Sequence, residues 1–182
     1  MCMTRCFLAI TLPDEIKDEL RRIQSEIKFD GKINFPQKEN LHLTLKFFGD
    51  ITDATIEKIK NRFEPFRFHP IKTSLSSVGV FPDLNRIRVI WVSLSPDKEI
   101  KELYDRIEEG LSELNFQKEA RPFSTHITIG RVKFLKSKQN LIDSMNNIKV
   151  KPLNFEIAGF SLISSTLTPK GSEYRTIANF GE

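Results

Sequence analysis

The stretches His42-Leu43-Thr44-Leu45 and His126-Ile127-Thr128-Ile129 decide how the rest of the sequence is interpreted. Each is a histidine, an aliphatic residue, a threonine and a second aliphatic residue, inside a run that is typical of a β-strand. Because successive strand side chains point to opposite faces, the histidine and threonine of each stretch share one face. The chain has three histidines, and two of them fall in these signatures, 84 positions apart. The pattern predicts two equivalent strands, one in each half of the chain.

The paired signatures carry the residue types of general acid–base catalysis. Histidine has an ordinary pKa of about 6.5, and two histidines on opposite sides of a reacting atom can serve as base and acid. In-line displacement at phosphorus needs such a pair, since one group activates the entering oxygen and the other protonates the leaving one. Thr44 and Thr128 add hydroxyls that can donate to the non-bridging phosphoryl oxygens. His42, His126, Thr44 and Thr128 are therefore the candidate catalytic residues.

Other interpretations of the signatures are weaker. A single His-x-Thr strand is commonly only the polar side of a half-exposed sheet, and this remains an alternative for the pair. A metal site needs three or more ligands, and the signatures have no Asp, Glu or Cys at ligand spacing, so neither a metal nor another cofactor is predicted. His69, which precedes Pro70, is interpreted as a surface residue.

The composition indicates a folded protein with a mixed surface charge. The 182 residues are 39% hydrophobic and 29% charged, which suits one domain with a substantial core. A net charge of +4 permits an anionic partner without requiring one. Cys2 and Cys6 are too close to clip a long loop, the apolar start lacks the features of a secretory signal, and no stretch has the length of a membrane span. We therefore expect a cytoplasmic protein with no membrane partner.

The order of predicted elements is strand-helix-strand-helix, a hairpin, then helix, strand, helix and two closing strands, in one α+β domain covering 1–182. The predicted strands cover residues 5–12, 41–48, 71–81, 87–94, 123–132, 153–164 and 174–180. The predicted helices follow Pro13, Thr52 or Asp53, and Ser95-Pro96-Asp97, and a fourth lies between Ser137 and Asn147. Each half holds a signature strand followed by a helix, which suggests a duplication with two lobes facing across a cleft.

Several further segments match a known pattern, and together they cover nearly the whole chain. They are residues 5–10 with Pro13, 40–49, 78–82 with 88–91, 121–131, and 165–171 with Tyr174. With the two signatures, each of the form His-x-Thr-x (HXTX), these segments resemble those of the two-histidine (2H) phosphoesterases. Within that superfamily the sequence is most similar to the RNA 2′,3′-cyclic phosphodiesterases, also called 2′-5′ RNA ligases.

The resemblance implies a bilobed fold in which two antiparallel sheets face a central cleft, with helices packed outside and the halves related by a pseudo-twofold duplication. It implies a hydrolase that opens the 2′,3′-cyclic phosphate at RNA 3′ ends to a 2′-phosphomonoester without a metal. His126 would activate water, His42 would protonate the departing 3′ oxygen, and Thr44 and Thr128 would hold the phosphate. RNA with cyclic-phosphate ends, tRNA fragments included, is the expected partner of a monomer that needs no other protein.

Two more residues are candidates for substrate binding. Arg131 matches a family position and could pair with phosphate through two parallel hydrogen bonds. Strand parity puts it on the face opposite His126 unless a bulge intervenes near Gly130, and a surface or packing role is the alternative. Phe48 shares the His42 face by parity and could stack on a base, although core packing is equally expected in a chain with 15 phenylalanines.

Two other functions stay open at this point. The same acid and base could join a 2′,3′-cyclic end to a 5′-hydroxyl end, which would make the protein a 2′-5′ RNA ligase. Alternatively, the fold could serve as a non-catalytic RNA-binding module.

Overall fold

The structure is a computed structural model that describes residues 3–169 and 171–181. Within these residues the chain forms four α-helices and nine strands. They are β1 (Met3–Thr11), α1 (Asp14–Glu26), β2 (Asp30–Asn34), β3 (His42–Thr52), α2 (Asp53–Phe63), β4 (Ile71–Asp83), β5 (Arg86–Ser95), α3 (Lys98–Ser112), β6 (His126–Ser137), α4 (Lys138–Asn146), β7 (Asn154–Ile157), β8 (Phe160–Thr168) and β9 (Gly171–Phe180). The predicted mixed α+β fold is confirmed.

The strands pair antiparallel in the order β7-β4-β5-β6-β3-β1-β8-β9, and β2 is added beside β6. The two signature strands, β3 and β6, are the central neighbours in this order. They are joined at one residue pair, Leu43 with Ile127, which are the second residues of the two signatures. The strands thus form one continuous antiparallel sheet, whose two halves join at equivalent points of the two signature strands.

The space on either side of this junction is filled differently. On one side, β2 continues the edge of β6, pairing from Asn34 opposite Arg131 onward. The side-chain amide of Gln24, a buried α1 residue, links β6 to the segment before β3. It donates to the carbonyls of Ile129 at 2.9 Å and Pro36 at 3.1 Å. On the other side the chain between α3 and β6 lies alongside β3 and leaves a cavity, which contains the candidate site.

The helices begin and pack as their sequences dictate. In α1 the apolar residues Ile16, Leu20 and Ile23 recur at helical spacing and are buried in the main core. Of the two candidate caps of α2, Thr52 takes that place, since its hydroxyl accepts a hydrogen bond from the Thr55 amide at 3.2 Å. Among the described residues, no helix is long and apolar enough to cross a membrane.

The structure corrects some predicted elements. The predicted strand over 153–164 is two strands, β7 and β8, broken at Ala158 and Gly159, because β7 pairs with β4 whereas β8 pairs with β1. Residues 30–34, for which no strand was predicted, form β2. Cys6 is a free, buried thiol, and Cys2 and the turn residue Lys170 lie outside the described residues.

Candidate active site

Both signatures begin their strands and place the histidine and threonine on the same, half-buried side. His42 and Thr44 are partly exposed, whereas Leu43 and Leu45 are buried, and the second signature repeats this pattern. Because Leu43 lies opposite Ile127 in an antiparallel pair, the register places His42 toward Thr128 and Thr44 toward His126. The structure therefore brings the four candidate residues together at the junction of the two halves.

Each imidazole is oriented by its own strand. His42 Nδ1 lies 2.7 Å from the carbonyl oxygen of Asn40, and His126 Nδ1 lies 2.8 Å from that of Ser124. A carbonyl oxygen can only accept, so Nδ1 carries the hydrogen in both rings. In the neutral state each Nε2 then presents a lone pair, which is the form that a general base requires.

The two Nε2 atoms differ in their partners. His42 Nε2 accepts a hydrogen bond from the Thr44 hydroxyl at 2.9 Å. No hydrogen bond to His126 Nε2 is formed by any side chain within residues 3–169 and 171–181. The lone pair of His126 is therefore the one that is available to an entering nucleophile.

Burial lowers the pKa of both histidines below the ordinary value of 6.5. For His42 the hydrogen bond to Asn40 opposes this shift, whereas the positive charges of Arg131 and Lys17 add to it. For His126 the hydrogen bond to Ser124 opposes the shift and Arg131 adds to it. Both rings are thus set to exchange protons on the acid side of 6.5 in the free protein.

Aromatic rings hold each imidazole from the side. His42 lies 4.9 Å from the ring of Phe7 and 5.5 Å from that of Tyr174, which meets it edge-on. The Asn40 side chain donates to the Ser172 carbonyl at 2.7 Å, so the β8–β9 hairpin that carries Tyr174 is tied to the segment before His42.

On the other half, the ring of Phe81 meets His126 edge-on at 4.9 Å. The Trp91 ring lies 6.4 Å from the same imidazole. These contacts restrict how far the ring can turn about its Nδ1 hydrogen bond.

A β-bulge after Thr128 brings Arg131 to the same side as the second signature. Thr128 pairs with Trp91 and Gly130 pairs with Ile90, which leaves Ile129 as the extra residue of β6. Ile129 and Gly130 are both buried, and Arg131, which comes next, is exposed. The extra residue reverses the alternation, so Arg131 lines the same cavity as His126 and Thr128.

The equivalent bulge in β3 overturns the prediction for Phe48. Ala9 pairs with Thr44 and Leu8 with Lys46, which leaves Leu45 as the extra residue. Phe47 therefore takes the place that corresponds to Arg131, with 61% of its surface exposed. Phe48 turns to the helical side, where its ring lies 4.9 Å from that of Phe116 and packs against the core. The parity argument for Phe48 is wrong, and Phe47 is the phenylalanine of β3 that lines the cavity.

The candidate site opens into a cavity of about 810 Å³, which is within the size range of ligand pockets. His126, Thr128, Thr44, Arg131 and Phe47 line it. Its remaining walls come from the β4–β5 hairpin, α3 and the chain before β6, with Phe81, Pro82, Arg88, Val89, Tyr104, Glu119, Arg121, Pro122, Phe123 and Ser124 among them. His42 is not among the lining residues, but its Nε2 is hydrogen-bonded to the hydroxyl of Thr44, which is.

Sequence reasoning missed Lys46, which is 5% exposed in its side chain and forms an ion pair with the equally buried Glu108. Lys46 directly follows the signature, and strand alternation after the buried Leu45 predicts an exposed polar residue there. No local pattern therefore shows that Lys46 is buried. Among the described residues, no three His, Cys, Asp or Glu side chains are grouped so that they could hold a metal ion.

Comparisons with known proteins agree with this geometry. The family model described as LigT-like phosphoesterase matches the chain twice, over residues 10–91 and 92–174, and each match contains one signature. The chain is 41% identical over 174 residues to the RNA 2′,3′-cyclic phosphodiesterase of Methanocaldococcus jannaschii, covering 95% of this chain and 98% of the relative. It is 30% identical over 177 residues to the Archaeoglobus fulgidus protein of the same name, covering 97% and 99%.

Solved structures show the same fold. The crystal structure of TT0787 of Thermus thermophilus has a TM-score of 0.80 and 25% identity, over 98% of this chain and 99% of that one. Escherichia coli LigT complexed with 3′-AMP has a TM-score of 0.77 and 21% identity, over 98% and 97%. The fold and the paired signatures define a two-histidine phosphoesterase. Within that class, the chain belongs to the LigT-like phosphoesterase family.

Proposed function

We propose that this protein opens the 2′,3′-cyclic phosphate at RNA 3′ ends to a 2′-phosphomonoester, with His126 as general base and His42 as general acid. The observation that carries the proposal is the pair of imidazoles at the junction, each with Nδ1 held by a carbonyl, with Nε2 of His126 free and Nε2 of His42 bonded to the Thr44 hydroxyl. The relatives named RNA 2′,3′-cyclic phosphodiesterase support the choice of substrate.

The reaction is an in-line displacement by water. Nε2 of His126 takes a proton from water as its oxygen attacks phosphorus, and the bond between phosphorus and the 3′ oxygen breaks. The 3′ oxygen takes a proton from Nε2 of protonated His42, and the phosphate stays on the 2′ oxygen. The free Nε2 lone pair of His126 favours it as the base.

Thr44, Thr128 and Arg131 would stabilise the charge on the phosphoryl oxygens. In the neutral state the Thr44 hydroxyl donates to His42 Nε2. Once His42 is protonated, Nε2 carries a hydrogen and can no longer accept, so the hydroxyl of Thr44 is free to donate to phosphate. Arg131 adds a permanent positive charge beside both histidines and can bind phosphate through two hydrogen bonds.

The proposed reaction does not use a metal, because the two imidazoles supply the proton transfers that a bound metal would otherwise promote. Phosphorus NMR tests both parts of the proposal. A short RNA with a 2′,3′-cyclic end, incubated with the protein and a chelator, is expected to give a 2′-phosphomonoester. A cyclic phosphate that stays unopened with and without added divalent ions contradicts the proposed activity. Turnover that the chelator abolishes contradicts the metal-free mechanism alone.

The pH dependence follows from the lowered histidine pKa values. The active form has one proton shared between the two histidines, so its population is greatest between their two pKa values. Since burial lowers both below 6.5, kcat/KM for a cyclic substrate is expected to peak below pH 6.5 and to fall as pH rises. The Arg131→Gln variant removes a positive charge that lowers both pKa values, so its optimum should move to higher pH.

Initial rates between roughly pH 4.5 and 8.5, two units either side of the ordinary histidine pKa, measure this profile. Arg131→Lys keeps the charge and is the matched control, with an optimum close to that of the unchanged protein. A peak above pH 6.5, or the same displacement in both variants, would contradict the assignment.

A further inference from the structure

The cavity extends beyond the residues that the proposed chemistry uses. Arg88 and Arg121 line it together with Arg131, and both are exposed. No ion pair or side-chain hydrogen bond joins any of these three guanidinium groups to the part of the chain that the structure describes. The two other charged residues in the wall are Lys46 and Glu119, which form an ion pair at 3.3 Å. Because Lys46 also pairs with Glu108, one carboxylate charge of that group is left over. The three unpaired arginines outnumber it, and a single terminal phosphate needs one of them.

Local structure brings both additional arginines into the wall. Arg88 is the extra residue of a bulge in β5, because Val89 pairs with Phe81 and Ile87 pairs with Pro82. Ile87 is buried in the core, and the bulge lets Arg88 stay on the cavity side with Val89. A bulge thus places Arg88, as another places Arg131.

Arg121 lies on a segment that is anchored at both ends. At one end, the Lys46 ammonium donates to the carbonyl of Gln117 at 2.7 Å, and the Glu108 carboxylate accepts from the amide of Glu119 at 3.1 Å. At the other end, the Thr125 hydroxyl donates to Asp97 at 3.0 Å. These bonds hold this wall of the cavity in place.

The same segment carries an aromatic surface. The ring of Phe123 stacks on that of Tyr104, with centroids 4.0 Å apart and planes 6° from parallel. Phe123 lines the cavity and is half-buried, while Tyr104 is 7% exposed behind it. Unpaired arginines beside a partly exposed ring are the combination that binds single-stranded nucleic acid, since the cations contact phosphate and the ring stacks on a base.

We propose that Arg88, Arg121 and Phe123 form a subsite for a second nucleotide, beside the one that carries the cyclic phosphate. The two arginines bind its phosphodiester, and Phe123 stacks on its base. The inference rests on the proposed function and adds to it that a nucleotide beyond the reacting one is recognised. That nucleotide is either the 5′ neighbour in the same strand or the first nucleotide of a 5′-hydroxyl strand that takes the place of water. The second source is consistent with the cavity lying beside His126, the proposed base.

The test compares substrates of different length with one set of variants. For the unchanged protein, kcat/KM is measured for a cyclic mononucleotide and for a dinucleotide with the same cyclic end. We expect the dinucleotide to be favoured, and the ratio of the two values to fall roughly tenfold for each arginine replaced in Arg88→Gln and Arg121→Gln. Arg175→Gln is the control, because it makes the same charge change at an exposed residue of β9 that does not line the cavity. In the sheet, Arg175 lies opposite Ser164, which lies opposite the buried Cys6. This variant should leave the ratio unchanged.

A second arm distinguishes the source of the nucleotide. The cyclic mononucleotide is offered with a 5′-hydroxyl dinucleotide, and the joined 2′-5′ product is quantified. If the two variants lose joining but keep the ratio of kcat/KM between dinucleotide and mononucleotide, the subsite binds the acceptor strand. If they keep joining but lose that ratio, the subsite binds the 5′ neighbour in the strand that carries the cyclic phosphate. If neither readout depends on Arg88 or Arg121 in variants that keep the melting temperature of the unchanged protein, the subsite is overturned. Failure to open either cyclic substrate would instead contradict the proposed function.

Discussion

Replacing His126 with alanine is expected to reduce kcat on a cyclic-ended dinucleotide by roughly 10²–10⁴-fold. The variant loses the only Nε2 lone pair of the two signatures that is free to accept a proton from water. His42→Ala should lose activity in the same range, because the 3′ oxygen would then leave without a proton. Initial rates under saturating substrate measure both losses. His69→Ala, which changes the third histidine outside the site, is the matched control and should keep full activity.

A change of leaving group separates the two roles. A phosphodiester of p-nitrophenol releases a stable anion and needs no general acid. His42→Ala should therefore recover most of its lost rate on that ester, whereas His126→Ala should stay defective because water must still be activated. The opposite pattern would reverse the assignment of base and acid. Full activity of both variants on the cyclic RNA would contradict the two-histidine mechanism.

The second large effect concerns stability. Lys46→Met is expected to lower the free energy of unfolding by about 3–5 kcal/mol, since it leaves a buried carboxylate without its partner. The Lys46 ammonium lies 3.0 Å from Glu108 Oε1 as an ion pair and 3.3 Å from Oε2 as a hydrogen-bond donor. Both side chains are about 5% exposed, so water cannot replace the lost contact. Urea denaturation followed by circular dichroism measures the change.

The double variant Lys46→Met with Glu108→Leu tests the cause. Removing both charges replaces the pair with apolar groups, which is often neutral or stabilising, so most of the lost stability should return. Lys72→Ala breaks an exposed ion pair with Glu156, whose side chains are 85% and 56% exposed, and should cost about 0–1 kcal/mol. A loss for Lys46→Met no larger than that for Lys72→Ala would contradict a buried pair.

Much of the fold can be predicted from the sequence, because its local patterns and its structure agree. The helical spacing of Ile16, Leu20 and Ile23, a cap at Thr52 or Asp53 and the alternation within each signature all predict the observed elements. The fourth helix also forms where it was predicted, over Lys138–Asn146. The candidate catalytic set follows from the same alternation, since two residues of one strand that are two positions apart must share a face.

The errors begin where strand parity fails. A bulge is set by the partner strand, which supplies one residue against two, and the sequence of the bulged strand alone does not reveal it. One extra residue at Leu45 moved Phe47 to the cavity side and Phe48 away from it. The extra residue at Ile129 brought Arg131 to the cavity. The match of Arg131 to the family pattern predicted this position, whereas simple alternation predicted the opposite face.

Residues that depend on distant partners were also beyond local patterns. Lys46 is buried because Glu108, 62 positions later, lies beneath it. Likewise, β2 forms because β6 has a free edge beyond Ile127. In both cases the tertiary contact decides the local environment, and the contact can be seen only once the chain is folded.

The residues that follow the two bulges also make the two halves of the site different from each other. A duplicated strand copies its histidine and threonine together, so one duplication event yields both partners of a proton relay. The two halves are not exact copies, however, and they differ directly after the signatures. The two residues after each bulged residue differ between the halves, and the second of them is Phe47 in one half and Arg131 in the other. In the proposed reaction, the side from which water enters would therefore carry a positive charge, whereas the side from which the 3′ oxygen leaves would carry an aromatic ring.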